Sequence, residues 1–343
     1  MIRAHSFWKM VIVPFCMKRM CTFYYNKGDV MIKKKRKKSD SSSKSLVVRV
    51  YQYRHIYVIL LPVLLYYFIF AYLPIGGNLM AFQKYSITKG IWGSKWIGLD
   101  NFKSFLSSYN FWQLLRNTVA ISVYNLAVNF PAPIILALLL NEVRSTRFKK
   151  IVQTITYMPH FISAVVICSM VLIFLSSEGL FNSIREIFGA DAISFMTRAG
   201  YFRTIYVMMN LWQSVGWGSI IYIAAIAGID QELYEAAAID GAGRWKQALH
   251  VTLPGISETM VILLIMKIGQ ILSVGYEKIL LLYNPTIYET ADVISTYVYR
   301  RTLIEGGNYG YSTAISMFNS IINLILLISA NRVSRKVSGS GLW

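Results

Sequence analysis

The stretch that decides the fold of this chain runs from residue 234 to residue 254 and reads YEAAAIDGAGRWKQALHVTLP. Residues 235–239 favour helix formation, and Asp240-Gly241 offers a turn or a helix stop. Residues 244–251 can resume a helix, which Pro254 is expected to end. The pattern predicts a helix-turn-helix element, and long apolar segments flank it on both sides.

The composition of the whole chain is typical of a membrane protein. Of its 343 residues, 55% are hydrophobic and only 15% are charged, which is too apolar for an ordinary soluble protein. Residues 1–54 hold 14 of the 35 Lys and Arg and two acids, Asp29 and Asp40, and therefore supply +12 of the formal net charge of +19. We expect no nucleic-acid partner, because these basic residues precede an apolar stretch and are not interleaved with aromatics.

The sequence indicates neither a catalytic centre nor a metal site. The three cysteines have no framework or ligand spacing, and the four histidines form no HExxH-type cluster. No Walker A pattern, G-x-x-x-x-G-K-[ST], occurs in the chain, so it lacks the phosphate-binding loop of that type. We therefore expect no catalytic residue, no metal ligand and no cofactor bound by this chain.

Six apolar segments follow the basic tail, each near the roughly 20 residues that a helix needs to cross a bilayer core about 30 Å thick. They comprise residues 56–80, 119–140, 151–175, 205–229, 259–282 and 312–330. Pro131 and Pro133 are expected to disturb the second segment locally. The predicted fold class is an all-α membrane protein with six transmembrane helices.

The distribution of Lys and Arg predicts the orientation, since short cytoplasmic loops accumulate positive charge. The basic run at residues 33–38 places the N-terminus in the cytoplasm, and six crossings return the C-terminus to the same side. The loop at residues 228–258 then lies in the cytoplasm, a result that depends on no motif.

Three regions are expected along the chain. They are a basic cytoplasmic tail at residues 1–54, a first transmembrane helix with its outside loop at 55–115, and a core at 116–343 that contains the 228–258 loop. Met31 directly precedes the basic run and is a candidate translation start. Residues 1–30 would then be an annotation extension.

The 234–254 stretch resembles the cytoplasmic signature loop of ABC importer permeases. That signature is E-A-A, three residues, G, nine residues and I-x-L-P. The positions that match it are Glu235, Ala236, Ala237, Gly241, Leu253 and Pro254. Val251 departs from it by replacing Ile conservatively, and Asp240-Gly241-Ala242 looks like the form common in importers of sugars and related solutes.

Further short elements extend the resemblance over roughly residues 50–343 and into the carbohydrate-uptake branch. They are the W-x-G-L-x-N-F element at residues 96–102, Phe111-Trp112, Asn117-Thr118 and the terminal Gly341-Leu342-Trp343. Together they look like a subgroup that takes up oligosaccharides released from complex polysaccharides.

The resemblance implies a type I ABC importer permease fold, in which the signature loop is the coupling helix for a separate ATPase. The chain would be a transport subunit and not an enzyme, in the plasma membrane of a bacterium. The implied partners are a second homologous permease, an ATPase dimer that binds ATP and Mg, an extracytoplasmic solute-binding protein, an oligosaccharide and the lipid bilayer. The outside loops at residues 85–115 and 176–200 are candidate surfaces for the binding protein.

Three alternatives stand beside this interpretation. The nearest is the same kind of importer carrying a polyamine, phosphate or glycerol phosphate. A membrane-embedded enzyme would need convergent catalytic groups, which the sequence does not offer. A channel or a self-sufficient carrier would work without any ATPase.

Polar residues within the apolar segments are the candidates for the solute path, because such groups are costly in lipid and normally face an interior or an aqueous cavity. In the fourth segment Asn210, Gln213, Ser214 and Trp217 share one helical face. Amides can hydrogen-bond sugar hydroxyls, and an indole can stack on a pyranose ring.

The fifth segment adds Lys267 and Gln270, one turn apart. In maltose-type permeases, the matching regions of these two helices line the solute site. Lys267 could meet a uronate or another acidic sugar, or it could pair with Glu277 or with a carboxylate of a partner subunit. The second segment contributes Tyr124, Asn125 and Asn129 on one side of a helix. Two interpretations are open for them, the solute path or packing against a partner permease.

Overall fold

The fold is described by a computed structural model, which covers residues 53–343. The predicted basic tail and the candidate start at Met31 lie outside the described residues, apart from the end of the tail at Tyr53 and Arg54. Two compact units are present, divided after Trp96. The region boundary predicted after residue 115 is a different division and stays a prediction.

The first unit contains one long apolar helix and a small hairpin. Helix α1 (Arg54–Tyr67) continues through a π-helical turn (Phe68–Tyr72) and a 3-10 helix (Leu73–Phe82), for 29 residues in all. Strands β1 (Gln83–Lys84) and β2 (Lys95–Trp96) pair antiparallel, and a short helix α2 (Gly90–Gly93) lies between them. The first predicted segment is therefore confirmed as a helix long enough to span a bilayer.

The second unit is helical throughout. In chain order its elements are α3 (Asp100–Leu106), α4 (Phe111–Asn129), α5 (Pro131–Glu142), α6 (Thr146–Tyr157), a 3-10 helix (Met158–Phe161), α7 (Ala164–Phe174), α8 (Leu180–Ile187), a 3-10 helix (Phe195–Thr197), α9 (Ala199–Ile226), α10 (Gln231–Ile239), α11 (Arg244–Gln247), a π-helix (Ala248–Thr252), α12 (Leu253–Gly255), α13 (Ser257–Ile268), α14 (Tyr276–Leu282), a 3-10 helix (Pro285–Ile287), α15 (Tyr288–Ala291), α16 (Ile294–Tyr299), a π-helix (Arg300–Ile304) and α17 (Tyr309–Ser338).

Up to six membrane spans follow from these elements. Three helices are long and apolar enough on their own: Arg54–Phe82, Phe111–Glu142 and Tyr309–Ser338. Three more spans result if each sharply bent helix pair counts as one: Thr146–Phe161 with Ala164–Phe174, Ala199–Ile226 with Gln231–Ile239, and Arg244–Gly255 with Ser257–Ile268. The all-α, six-span architecture agrees with the predicted fold class.

The third predicted segment, residues 151–175, is not one straight helix. Its two halves meet at 100°. Pro159 stands in the 3-10 turn between them, and the Ser163 hydroxyl caps a new helix by accepting a hydrogen bond from the Val166 amide at 3.3 Å. A proline at a turn and a serine N-cap end one helix and start the next more sharply than apolar composition alone indicates.

The fifth predicted segment, residues 259–282, does not form one continuous helix. Helix α13 ends at Ile268, and regular helix resumes only at α14. Asn323 Oδ1 accepts from the Leu272 amide at 3.1 Å, and Asn319 Nδ2 donates to the Leu272 carbonyl at 3.1 Å. Because backbone groups at membrane depth need internal partners, these two asparagines of α17 make the break possible. We call residues 269–275 the span-five break.

Helix α9 is the central helix of the second unit and packs against α4, α5 and α6. Two glycines allow this close packing. A β-carbon at Gly216 would stand 2.1 Å from the backbone oxygen of Thr156, and one at Gly218 would stand 3.0 Å from the Pro133 ring. Small residues that let helix backbones approach closely are a general means of packing helices within membranes.

Replacing Gly216 with alanine is therefore expected to destabilise the bundle. The obstacle is backbone, which cannot move aside as a side chain can, and overpacking of this kind costs about 1–3 kcal/mol. Thermal unfolding of the purified protein in detergent measures the loss. The matched control is Gly200→Ala in the first turn of α9, where a β-carbon meets nothing within 4 Å. Equal melting temperatures for the two variants would contradict the packing argument.

Candidate functional site

The signature loop forms the predicted helix-turn-helix element. Helix α10 ends at Ile239, and the amides of Gly241 and Ala242 bond back onto its last turn. Gly241 N donates to Ala238 O at 3.1 Å, and Ala242 N donates to Ala237 O at 2.9 Å. This pair of bonds is a Schellman C-cap, and Gly241 has the left-handed φ of +76° that it requires. The helix stop predicted at Asp240-Gly241 is confirmed.

The second half of the loop is helical for longer than predicted. The helix runs from Arg244 to Gly255, through the π-helical turn and past Pro254, before it bends by 61° into α13. The expectation that Pro254 ends the helix is therefore wrong by one residue. A proline ring clashes with the carbonyl four residues earlier in an α-helix, and the wider π-helical turn directly before Pro254 relieves that clash.

Two hydrogen bonds fasten the halves of the loop together. The Tyr234 hydroxyl lies 2.9 Å from Thr252 Oγ1, and Gln247 Nε2 donates to the Ala242 carbonyl at 3.0 Å. Thr252 is buried. The loop can therefore move as one body.

An apolar cluster joins the loop to the spans around it. Leu253 and the buried Ile256 pack with Ile134 of α5 and with Tyr222 and Ile226 of α9. An exposed ion pair, Arg244 to Glu142 at 3.8 Å, lies at the same end and adds little, as surface pairs generally do. The cluster also includes Met260 and Leu263 of α13, so the loop contacts the ends of α5, α9 and α13.

The side of the loop turned away from this cluster is exposed and partly apolar. Glu235, Ala236 and Asp240 are exposed, and Ala237 is half-buried. Ile239 and Trp245 are 87% and 78% exposed. Two large apolar side chains and a carboxylate are thus accessible on the signature loop.

The fourth-segment candidates are only partly grouped as predicted. Asn210 and Gln213 converge on one cation, because Lys278 Nζ donates to Asn210 Oδ1 at 2.6 Å and to Gln213 Oε1. Gln213 Nε2 also donates to the Ile162 carbonyl at 3.1 Å. Ser214 bonds back to the Asn210 carbonyl at 2.6 Å. The amides thus hold Lys278 and the bend of the third span.

Trp217 lies in an aromatic stack. Its indole is parallel to the His160 ring, with centroids 4.5 Å apart and an interplanar angle of 2°, and the Phe161 ring meets it edge-on at 5.7 Å. One face of the indole is therefore covered by His160. The side chain remains 46% exposed, and the predicted contact with a sugar ring stays a prediction.

Lys267 and Gln270 line a polar cavity of about 150 Å³, which we call the Lys267 cavity. Its walls are contributed by α4, α9, α13 and the span-five break: Ser122, Asn125, Leu126, Asn129, Phe130, Tyr206, Lys267, Gln270, Ile271, Ser273, Val274 and Gly275. Asn125 and Asn129 thus face the same space as Lys267. Tyr124 is not among the lining residues, and the choice between the solute path and packing against a partner permease stays a prediction.

Lys267 forms no ion pair with an acid among residues 53–343. Pairing with Glu277, one of the alternatives raised by the sequence, is therefore not observed. A uronate or a partner subunit's carboxylate remains as the candidate anion.

Sequence reasoning missed Lys278, His160 and the asparagine pair that holds the span-five break. A signal for Lys278 was present, since a lysine inside a predicted span is by itself a functional candidate. His160 carried no such signal, because its role depends on an aromatic partner 57 residues further along the chain, Trp217.

More than half of the chain matches a known protein family. The family described as the binding-protein-dependent transport system inner membrane component matches residues 129–339, which include the signature loop and most of the residues that line the Lys267 cavity. The chain belongs to this family. It is an ABC importer permease, a membrane-embedded transport subunit whose ATP hydrolysis is carried out by a separate subunit.

Individual relatives cover nearly the whole permease. It is 43% identical over 301 residues to the polygalacturonan/rhamnogalacturonan transport system permease protein YteP of Bacillus subtilis, which covers 88% of this chain and 94% of the relative. A crystal structure of a bacterial ABC transporter involved in the import of the acidic polysaccharide alginate contains a similar chain. The TM-score is 0.80 at 42% identity, over 85% of the permease and 99% of that chain.

A second crystal structure shows the bacterial alginate transporter in complex with an alginate pentasaccharide-bound periplasmic protein. Its matching chain has a TM-score of 0.80 at 41% identity, over 86% of the permease and 99% of that chain. Both structures share the fold of the permease closely.

Gly241→Ala is expected to loosen the tip of the signature loop. A non-glycine residue in the left-handed region costs about 1–2 kcal/mol, so local opening of residues 237–242 becomes on the order of ten times more frequent. Amide hydrogen exchange followed by mass spectrometry reports this directly. Gly243→Ala is the matched control, because Gly243 has a φ of −68° and open space around it. Identical exchange in both variants would show that the turn does not depend on Gly241.

Proposed function

We propose that this permease imports oligosaccharides, delivered by an extracytoplasmic binding protein and driven by a cytoplasmic ATPase. The observation that carries the proposal is the rigid signature loop, packed onto the ends of three spans and exposing Ile239 and Trp245. The printed names of the relatives supply the solute class, because they concern polygalacturonan, rhamnogalacturonan and alginate. None of these names favours a polyamine, phosphate or glycerol phosphate.

The proposed orientation places both termini and the signature loop in the cytoplasm. It rests on the positive charge of the inside segments. Besides the basic tail, these are the turn after α5 together with the start of α6, and the C-terminal end of α17. The first holds Arg144, Arg147, Lys149 and Lys150, and the second holds Arg332, Arg335 and Lys336. The six spans are compatible with this arrangement, since an even number returns the chain to its starting side.

The proposed partners are a second homologous permease and an ATPase dimer. Glu235, beside Ile239 and Trp245, would meet a basic group of the ATPase, while the alanines allow close approach. Closure of the ATPase dimer would push the loop, and the cluster around Ile256 would pass that movement to α5, α9 and α13. Alternating access then follows as a population shift between two arrangements of the spans.

The binding protein is proposed to dock on the side opposite the signature loop. Residues 85–115 and 176–200 stay candidates for this contact. A cavity of about 540 Å³ adds residues 297–311 to the surface. Its polar lining comprises Ser104, Ser108, Tyr109, Asn110, Tyr297, Arg301, Glu305, Asn308 and Tyr311.

The cation in this cavity is firmly held. Arg301 Nε donates to the Tyr297 hydroxyl at 3.2 Å, and Arg301 Nη1 bonds to Glu305 at 2.7 Å. The hydrogen bond to Tyr297 is the chief cause that raises the pKa of Arg301 above its ordinary value. Arg301 therefore stays charged at every pH at which the importer would work.

Glu235→Lys tests the proposal in the reconstituted importer, which contains both permeases, the ATPase and the binding protein. ATP hydrolysis is measured with neutral and acidic oligosaccharides. Reversing a charge at a protein interface costs several kcal/mol, so we expect substrate-stimulated hydrolysis to fall at least about ten-fold. Glu258→Lys makes the same charge change in the first turn of α13, outside the proposed contact surface, and is expected to behave like the wild type.

Two outcomes would contradict the proposal. No stimulation of the wild type by any oligosaccharide would exclude the carbohydrate assignment. Full stimulation of the Glu235→Lys variant, with the complex intact on gel filtration, would exclude a coupling role for Glu235.

A further inference from the structure

We propose that Lys267 binds a carboxylate of the solute and selects acidic over neutral oligosaccharides. The inference rests on the proposed function and deepens it, because it names the charge of the substrate and the residue that binds the charged group. Four observations on the Lys267 cavity carry the argument.

The first observation is the charge of the cavity walls. Helix α4 contributes Ser122 and two asparagines, α9 contributes Tyr206, and the span-five break contributes Gln270 and Ser273. Among the lining residues in the described part of the chain, Lys267 is the one charged side chain, and no acid faces it. The cavity is therefore lined by one cationic side chain and otherwise by uncharged residues.

The second observation is the absence of internal compensation. Charged groups within membrane spans usually face the bundle interior or a water-filled cavity and pair with one another or with backbone carbonyls. Lys267 takes part in none of the ion pairs formed by residues 53–343 and is exposed. A transient anion from the solute would supply the missing partner.

The third observation is the contrast with the other lysine of this region. The Lys278 ammonium is held by the amide oxygens of Asn210 and Gln213, and the Lys278 side chain is half-buried. Lys278 thus fixes protein elements to each other. Lys267 has no comparable amide cage.

The fourth observation is the supply of neutral hydrogen-bonding groups around the charge. Asn129 Nδ2 donates to Asn125 Oδ1 at 3.0 Å, whereas the buried Asn129 Oδ1 has no hydrogen-bond partner in the described part of the chain. Gln270 is exposed in the cavity wall and can both donate and accept. One cation among amides suits a uronate residue. The ammonium group can form a charge-assisted hydrogen bond with the carboxylate, and the amides can hydrogen-bond the sugar hydroxyls.

The test uses the complete importer in lipid nanodiscs, with trigalacturonate and its fully methyl-esterified form as a charged and an uncharged solute of equal length. Substrate-stimulated ATP hydrolysis is measured for the wild type, Lys267→Met and Lys267→Arg. We expect the ratio of acid to ester stimulation to fall at least about ten-fold in Lys267→Met, the equivalent of about 1.4 kcal/mol, and to recover largely in Lys267→Arg. Lys336→Met, an exposed lysine in the last turn of α17, should match the wild type.

A second readout is independent of what the binding protein accepts. Saturation-transfer NMR follows binding of trigalacturonate to the purified complex of permeases and ATPase without the binding protein. The signal is expected for the wild type and for Lys267→Arg, and it should be lost in Lys267→Met. Persistence of the full signal in Lys267→Met overturns the proposal.

The remaining outcomes separate this proposal from its rivals. If Lys267→Met reduces acid and ester stimulation equally and lowers the melting temperature of the complex, Lys267 pairs with a partner subunit's carboxylate and the proposal is wrong. Stimulation of the wild type by neutral oligosaccharides alone overturns the acidic class but leaves the proposed function standing. Stimulation by no oligosaccharide removes both.

Discussion

The permease depends on the satisfaction of backbone polar groups where its fifth span is interrupted. Asn319 and Asn323 of α17 hold both the amide and the carbonyl of Leu272, and Asn323 Nδ2 also donates to Ser273 Oγ at 3.0 Å. In lipid an unpaired backbone group costs several kcal/mol, so the interruption exists only because these side chains reach it. The break leaves Lys267 and Gln270 at the edge of a polar cavity instead of inside a closed helix.

The same interruption gives the span its mechanical role. Helix α13 connects the signature loop, through the 61° bend, to the span-five break, and its length is only 12 residues. At one end Ile256 packs into the cluster that anchors the loop, and at the other end Lys267 lines the cavity. A short, continuous helix between two bends moves as a rod, so displacement of the loop would change the shape of the cavity. In this account, coupling and solute recognition are properties of two ends of one helix.

The sequence predicts the local features of this permease well and the long-range ones poorly. The turn at Gly241 was predictable because its hydrogen bonds join residues no more than five apart, and the spans were predictable from apolar composition. The span-five break was not, because its partners lie 47 and 51 residues away in α17, and composition does not show where a backbone amide finds its acceptor. Asn210 and Gln213 were placed on the right face, but their partner Lys278 stands 68 and 65 residues further along the chain. Such pairings are fixed only when the helices are packed together.

The most direct test of this account is the number of oligosaccharide molecules taken up per ATP hydrolysed, measured in proteoliposomes that contain the full importer. Asn323→Leu removes the two hydrogen bonds that the Asn323 side chain makes to the span-five break and leaves the bond from Asn319. Ser320→Ala removes only an exposed bond to the Ser316 carbonyl on the same helix. Losing a buried partner costs about 1–3 kcal/mol. We therefore expect Asn323→Leu still to hydrolyse ATP but to take up at least about ten-fold less solute per ATP than Ser320→Ala. An unchanged ratio in the folded Asn323→Leu complex would contradict the claim that the break links the loop to the path.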